Sequence, residues 1–313
     1  MKILHTVFSN RSLNWLIVIL LFASQTGAQS TDSKSEIDVI STDTSLVTLN
    51  ISVIDRKNRH IAGLKVEDFQ LTDEGKPVTP AFFDSQGLQS IVFLVDVSSS
   101  MKGAKWQSLR AGLKRFLAKG REGCDYTLIT FNQTPRLIVA NVNAGRLWQS
   151  FEALRPDGET ALYDAILLGL EALDRASQRQ KALVLLSDGE DNSSQTTLPL
   201  VEQRMLARRA TIYGVGILID DRPSPNDMDR KKLLNELAQG TGGFAIYPAP
   251  ERIPEVLESI RTDISGQYSL SYYPPDKGPG WRRVQVTVAP NSRDVRLRYQ
   301  QRYLITSPQV ANH

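Results

Sequence analysis

The first pattern in the chain is an alternation of apolar and polar residues. Four apolar residues between Val47 and Val53 alternate with polar ones, and Phe69 and Leu71 do the same after a turn. A period of two is typical of strands with one buried face. We therefore predict a small antiparallel β segment over residues 37–86, which is too short to bury a good core alone.

A second pattern begins near Gln89, where short apolar runs alternate with amphipathic stretches. Residues 91–95 are all apolar and lead into Asp96, and such a run is typical of a strand buried on both faces. Further strands are predicted at residues 126–131, 137–142, 182–186, 211–217 and 244–247, the first two of these as an antiparallel pair at an edge. Helices are predicted at residues 104–118, 147–154, 160–173, 198–209, 230–238 and 253–264. This alternation favours an α/β fold with a doubly wound, mostly parallel sheet over residues 88–265.

After Gly266 the period returns to two, at residues 268–272, 284–288 and 295–299. This C-terminal β segment, residues 266–304, is also too small to stand alone. We therefore predict that the two β segments pair into one antiparallel β-sandwich, with the α/β domain inserted between them. Three arginines, at positions 296, 298 and 302, form either a binding stripe or, as we expect, the solvated face of a strand.

The N-terminus has the features of a secretory signal peptide over residues 1–28. Lys2 and Arg11 give a weakly basic head, an apolar stretch follows at residues 13–23, and residues 26–28 offer a small-residue cleavage site. A membrane span needs roughly 20 apolar residues, so contact with a membrane is expected only if the signal stays uncleaved. We expect an exported protein of the periplasm, the cell envelope or the medium.

Charge and composition exclude several classes of function. The 313-residue chain is 41% hydrophobic with a net charge of +3, and removing residues 1–28 leaves 35 basic against 34 acidic residues. That balance gives no electrostatic basis for a nucleic-acid partner. The single cysteine, Cys124, heads an apolar run and is predicted to be a buried thiol. The histidines, at positions 5, 60 and 313, are too dispersed to predict a histidine triad or a zinc site.

Oxygen-bearing side chains follow three of the predicted elements. Asp96, Ser98 and Ser100 come at the end of the first buried strand, Thr160 lies in a Gly-Glu-Thr loop, and Asp188 ends a later strand. In open α/β sheets, ligands bind outside the carboxyl ends of the strands. Hard oxygen donors gathered there suit Mg²⁺, Mn²⁺ or Ca²⁺ better than zinc or copper.

Together these loops resemble the metal-ion-dependent adhesion site of the von Willebrand factor A (VWA) family. That family's pattern is D-x-S-x-S, then a threonine, then an aspartate at the end of a later strand, and all five positions match here. The resemblance covers residues 88–265. The whole layout, with a signal, a β segment, this domain and a Y-x-L-x-Y-Y-P segment, also resembles VWA-related exported bacterial proteins of acidobacterial type.

The resemblance implies a single divalent cation, Mg²⁺ or else Mn²⁺ or Ca²⁺. The hydroxyl groups would bind it directly and an aspartate would act through water, which leaves a position for an Asp or Glu of a protein partner. Residues 101–103 are Met, Lys and Gly, where some relatives place acids for a second ion, so one ion is expected. Asp164 and Asp191 are expected near the site but outside the ligand set. The alternative is that Ser98 and Ser100 cap the following helix and that Asp188 starts a turn.

Three functions are compatible with these residues. The resemblance implies a protein-binding, adhesion-type module rather than an enzyme, because no nucleophile and base pair is visible. The alternatives are a metal-dependent hydrolase, since Asp, Ser and a divalent ion are also catalytic parts, and a structural scaffold with an unused metal site. The resemblance further implies that the last helix, residues 253–264, shifts when ligand binds, which would re-angle the inserted domain against the C-terminal β segment.

Overall fold

Fourteen strands and six α-helices make up the part of the chain that the computed structural model describes, residues 46–187, 191, 193–207, 210–217, 225–289 and 295–305. The strands are β1 (Val47–Ile54), β2 (Phe69–Asp73), β3 (Lys76–Val78), β4 (Phe82–Asp84), β5 (Gln89–Asp96), β6 (Asp125–Phe131), β7 (Pro135–Val142), β8 (Gln180–Ser187), β9 (Thr211–Gly216), β10 (Ala245–Ile246), β11 (Tyr268–Tyr272), β12 (Gly280–Val288), β13 (Arg296–Arg298) and β14 (Arg302–Ile305). The helices are α1 (Ala104–Ala118), α2 (Ala144–Glu152), α3 (Leu162–Asp174), α4 (Leu198–Ala207), α5 (Pro225–Gly240) and α6 (Ile253–Ser265). The predicted signal, residues 1–28, lies outside the described residues and stays a prediction.

A six-stranded sheet in the order β10-β9-β8-β5-β6-β7 forms the centre of the molecule. All of its strand pairs are parallel except β6 with β7, which is antiparallel at the edge. Helices α1, α2 and α6 cover one face and α3, α4 and α5 cover the other. All eight residues of β5 are buried because it lies between two strands and two helical layers. The predicted doubly wound, mostly parallel fold is confirmed.

The segments that precede and follow this α/β layer in the sequence form two four-stranded antiparallel sheets, β13-β1-β11-β4 and β14-β12-β2-β3. Strand β1 pairs with β11, so that Val47 lies opposite Tyr272, and β2 pairs with β12. The inward side chains of both sheets share one hydrophobic core. The predicted sandwich, built from N-terminal and C-terminal segments, is confirmed in the described residues. The domain boundaries at residues 37–86, 88–265 and 266–304 stay predictions.

A buried carboxylate, Asp263, joins the last helix of the α/β layer to the sandwich. It is 3% exposed on α6, and it accepts hydrogen bonds from Tyr213 Oη at 2.7 Å and Ser52 Oγ at 3.2 Å. His60 Nε2 lies 2.8 Å from its Oδ1, and the Arg298 guanidinium contacts the same oxygen. We call these five residues the Asp263 cluster. They come from β9, α6, β1, β13 and the turn after β1.

The Asp263 cluster corrects one prediction from the sequence. Arg298 was expected on a solvated strand face, but its side chain is 25% exposed, contacts Asp263, and lies with its Cζ 4.8 Å from the Phe244 ring centroid. The strand is covered there by the α/β layer, which the local alternation of residues does not reveal. Cys124 is buried, as predicted. Among the described residues, no helix is both long and apolar enough to cross a membrane.

Candidate functional site

The candidate site lies where β5 and β8 end side by side. Val95 is level with Leu186 in the parallel register, so Asp96 and Ser187 end their strands next to each other. The Ser187 hydroxyl donates to Asp96 Oδ2 at 2.7 Å, and both residues are fully buried. The carboxyl edge of the sheet therefore carries a buried carboxylate, as the strand pattern predicted. Ser187 is not among the site residues predicted from the sequence, although it lies beside Asp188 at a strand end.

The D-x-S-x-S loop is shaped by its own aspartate. Asp96 Oδ1 accepts the backbone N–H of Ser98 at 2.8 Å, which turns the chain immediately after β5. The hydroxyl oxygens of Ser98 and Ser100 then lie 2.9 Å apart. Ser98 is 2% exposed, whereas Ser100 is exposed. The loop thus points two hydroxyl groups at one place, one buried and one reachable from solvent.

Neither of these serines caps a helix. Helix α1 begins at Ala104 after Gly103, whose φ of 77° suits glycine. Ser98 precedes a one-turn 3₁₀ helix, Ser99–Met101, but its side chain makes no capping hydrogen bond to the backbone of that helix. The structure therefore does not support the alternative in which Ser98 and Ser100 serve only as helix caps, and their hydroxyl groups need another explanation.

The loop that carries Thr160 is bound directly to the D-x-S-x-S loop. Ser99 N donates to Gly158 O at 2.9 Å, and Gly158 N donates to Ser99 Oγ at 3.1 Å. Asn132, at the end of β6, donates its side-chain N–H to Asp157 O at 3.0 Å and accepts from Ala161 N at 2.6 Å. Asn132 was read from the sequence only as a turn residue. These bonds hold the loop of Thr160 at the same edge of the sheet as Asp96.

Thr160 precedes its helix instead of opening it, which corrects the predicted start. Helix α3 begins at Leu162, because Ala161 has φ −110° and ψ 76° and bonds to Asn132. Thr160 is 3% exposed, and its carbonyl accepts from Ser193 N at 3.2 Å. The threonine is therefore a buried residue of a loop whose preceding residues, 157–159, are largely exposed.

The third loop is fixed by two carboxylates that bond to backbone. Asp191 Oδ1 accepts from Leu162 N at 2.8 Å. Asp164 accepts from Gln195 N and Thr196 N, each at 3.0 Å. Burial raises the pKa of Asp164, but hydrogen bonds from Thr196 and Gln195 outweigh burial and lower the pKa below its usual value. Both carboxylates hold loop backbone in place. Asp188, a predicted ligand in this loop, lies outside the described residues.

The oxygen donors present fit a hard divalent cation. The Ser98 and Ser100 hydroxyls are hydrogen-bonded to each other at 2.9 Å. Neighbouring ligands on an octahedron with metal–oxygen distances of about 2.05 Å also lie about 2.9 Å apart, so the two oxygens could bind one ion without moving apart. Asp96 supplies negative charge beside them. Among the described residues there is no group of three or more His, Cys, Asp or Glu side chains that could hold a metal ion. A cation here would depend on hydroxyl oxygens together with aspartate.

Comparison with known proteins agrees with this fold. The family model "von Willebrand factor type A domain" matches residues 90–257. The human inter-alpha-trypsin inhibitor heavy chain H4 is 27% identical over 187 residues, 52% of this chain and 19% of that protein. The matched region spans less than a fifth of each of the six curated relatives.

Two solved structures match parts of this chain. A von Willebrand factor type A protein from Catenulispora acidiphila is 13% identical, with a TM-score of 0.49, over 84% of this chain and 74% of that chain. Proximal thread matrix protein 1 from the mussel byssus, with a zinc-occupied metal-ion-dependent adhesion motif, is 17% identical, with a TM-score of 0.47, over 61% of this chain and 48% of that chain. Since the family model covers more than half of the sequence, the chain belongs to the von Willebrand factor type A domain family.

Proposed function

We propose that this chain is an exported, adhesion-type module that captures an acidic side chain of a protein partner through one divalent cation. The proposed ligands are Asp96, Ser98, Ser100, Thr160 and Asp188, and the proposed ion is Mg²⁺, with Mn²⁺ or Ca²⁺ as substitutes. Domains of this family typically mediate protein interaction or adhesion. The observation that carries the proposal is the 2.9 Å spacing of the Ser98 and Ser100 hydroxyls beside the buried Asp96 carboxylate.

The charge of the donor set favours an acidic partner. Three of the five proposed ligands are neutral hydroxyl groups, and the two carboxylates balance a charge of +2 only if both bind the ion directly. In the proposed arrangement one aspartate acts through water, so the groups in direct contact with the ion carry less negative charge than the ion carries positive charge. Asp96 accepts hydrogen bonds from Ser98 N and the Ser187 hydroxyl, one at each oxygen, and these bonds fix the orientation of its carboxylate. A bound cation would supply the uncompensated positive charge that attracts an outside carboxylate.

Exposure favours a ligand that presents one protruding side chain. Asp96, Ser98 and Thr160 are all buried, at 0%, 2% and 3% exposure, and Ser100 is exposed. Among the described ligands, Ser100 is the one that solvent reaches, so we propose that the partner approaches from its side. An Asp or Glu on a loop tip fits this access better than a flat surface.

Titration of the purified chain with MgCl₂, MnCl₂ and CaCl₂ by calorimetry tests the metal site. We expect one ion to bind, and we expect Ser100→Ala to bind at least about tenfold more weakly, the minimum loss seen when metal-site partners are removed. Ser100 is suited to this test because it is exposed, so its loss does not open a cavity. Ser85→Ala, an exposed serine beyond β4, is the matched control and should bind as the wild type does. Equal affinity in all three proteins would overturn the proposal.

Capture of partners from the native cell envelope tests the function. Retained proteins should be released by EDTA and should be absent with Ser100→Ala but present with Ser85→Ala. A peptide rich in Glu should compete, and its Gln counterpart should not. Retention that ignores EDTA and both variants would favour the scaffold alternative. Turnover of an ester or phosphoester substrate that depends on added metal would favour the hydrolase.

A further inference from the structure

We propose a second binding site on the sandwich, a shallow pocket that takes an acidic polysaccharide such as a polyuronate. The pocket lies on the outer face of the sheet β14-β12-β2-β3 and has a volume of about 470 Å³. We call Trp281, Arg283 and Arg302, which line it on this outer face, the arginine face. It lies in a different domain from the proposed metal site and does not depend on it.

The strand pattern of β12 puts the arginine face outside. Val284 and Val286 are buried in the sandwich core, so Trp281 and Arg283 point to the opposite side of the sheet. Arg283 lies directly opposite Arg302 in the antiparallel register of β12 and β14. Like charges directly opposite each other on a sheet are destabilising. The pair of Arg283 and Arg302 therefore does not stabilise the fold, and a bound anion would offset the repulsion between the two charges.

The side chains of the arginine face are held in position. The Arg302 guanidinium lies 5.2 Å from the centroid of the Trp281 ring, a favourable contact between a cation and an aromatic face. Arg282 lies on the other side of β12, in phase with the buried Val284 and Val286, and its charge is paired with Asp276 at 3.1 Å. A ligand on the outer face would therefore meet, at Arg302, a guanidinium group that is already ordered.

The charge of the pocket is predominantly positive. Among the described residues that line it, three are arginines and one, Glu74, is acidic. The Glu74 carboxylate already accepts the backbone N–H of Arg283. The remaining guanidinium forks match carboxylate or sulfate groups, to which arginine bonds in a bidentate manner. The pocket thus suits a repeated, singly charged oxyanion.

The exposed Trp281 favours a ligand whose anionic group is attached to a ring. Its side chain is large and apolar, yet it is 41% exposed beside the arginines. Burying an indole ring is strongly favourable, and a polar neighbour fixes the orientation of what covers it. A sugar ring that carries a carboxylate offers an apolar face to Trp281 and an oxyanion to Arg283. An extended polysaccharide offers both groups repeatedly along a flat sheet.

Binding of alginate oligosaccharides to the full chain, in EDTA and at low ionic strength, tests this site. We expect Arg283→Gln combined with Arg302→Gln to bind at least about tenfold more weakly, because both bidentate partners are lost. Trp281→Ala should weaken binding as well, and added salt should weaken binding to the wild type. Lys57→Gln combined with Lys65→Gln removes the same charge from exposed positions outside the pocket and is the matched control. Since the first double variant removes a like-charge pair, its melting temperature should not fall.

Three outcomes would overturn the proposal. Equal affinity for alginate in the two double variants would mean that only the net charge matters. Binding of neutral dextran as strong as that of alginate would exclude recognition of the carboxylate. Preferential binding to poly-glutamate, or to vesicles of anionic lipid, with no effect of Trp281→Ala, would assign the arginine face to an acidic peptide or to a membrane surface.

Discussion

Replacing Asp263 by Asn tests how the α/β layer and the sandwich are held together. The substitution keeps the size of the side chain but removes its charge, and it places an amide N–H₂ among donors. In the wild type, the Asp263 carboxylate accepts hydrogen bonds from Tyr213 and Ser52. It also contacts His60 and Arg298. The variant cannot satisfy all four, so these groups are left buried with fewer partners.

The expected loss of stability follows from burial. Breaking a buried ion pair by removing one partner costs roughly 3–5 kcal/mol. Because the Arg298 side chain is 25% exposed, solvent relieves part of its unpaired charge, and we expect the lower end, about 3 kcal/mol. With an entropy of unfolding of about 2.1 cal/mol/K per residue, a loss of that size lowers the melting temperature by about 5 °C in a chain of this length.

The loss of stability caused by Asp263→Asn should become smaller at low pH. Burial raises the pKa of Asp263, but the His60 hydrogen bond, the Arg298 charge and the Tyr213 hydrogen bond outweigh burial and lower the pKa below its usual value. A lowered folded-state pKa contributes stability above the unfolded-state pKa of about 3.9, and this contribution is lost as the pH falls through the folded-state value. The difference between wild type and variant should therefore be full at pH 5 to 7 and shrink below about pH 4.

Urea unfolding, followed by tryptophan fluorescence and by circular dichroism at pH 7, 5, 4 and 3, measures this difference. Coincident transitions from the two probes establish that a single free energy of unfolding is defined. Asp84→Asn, at an exposed aspartate on β4, is the matched control and should change stability by no more than about 0.5 kcal/mol. The reasoning fails if Asp263→Asn costs less than about 1 kcal/mol at pH 7, the size of an ordinary single hydrogen bond. It also fails if the cost grows on acidification.

Three further substitutions test local packing and bonding, each by urea unfolding. Gly112→Ala should destabilise by about 1 kcal/mol net, because its Cβ would lie 2.9 Å from Leu257 Cδ1 on α6, and overpacking of about 1–3 kcal/mol exceeds the gain in helix propensity. No loss would mean that α6 moves away freely. Asn143→Ala should cost about 1 kcal/mol, since its side chain caps α2, and Asn143→Asp, which keeps the cap, should not. Tyr303→Phe should cost about 1–3 kcal/mol, because it removes a 2.6 Å bond to the buried Asp73 carboxylate. An unchanged midpoint would show that water replaces the hydroxyl.

The sequence predicted the elements well where periodicity is strong. The predicted helix 104–118 agrees with α1, Ala104–Ala118, because its apolar residues recur at helical spacing and glycine precedes it. The buried runs that became β5 and β8 were equally clear. Predicted boundaries were less accurate where tertiary bonds decide, as at Thr160, where a bond from Ala161 N to Asn132 delays the start of α3.

Residues whose role depends on distant partners could not be predicted. From the sequence, His60 is only one of three dispersed histidines and Arg298 only a polar strand position, yet both contact Asp263. A periodic pattern tells which face of an element is polar, and it does not tell whether another domain covers that face. Within the site, the D-x-S-x-S motif predicts Asp96, Ser98 and Ser100 as ligands, whereas Ser187 and Asn132 act through bonds across loops. Ordinary turn residues gave no comparable signal.

The sandwich pairs strands of the N-terminal segment with strands of the C-terminal segment. This pairing sets the order in which the chain can fold. Thr48 on β1 bonds to Ser271 on β11 at 2.9 Å across a separation of 223 residues. A chain made from its N-terminus can pair β2 with β3 at once, but β1 and β4 lack their partner β11 until the whole inserted α/β layer has been synthesised. Pairing at such sequence separation is slow, and open edges invite aggregation meanwhile. The α/β layer, with its mostly local connections, therefore condenses first, and the sandwich closes last.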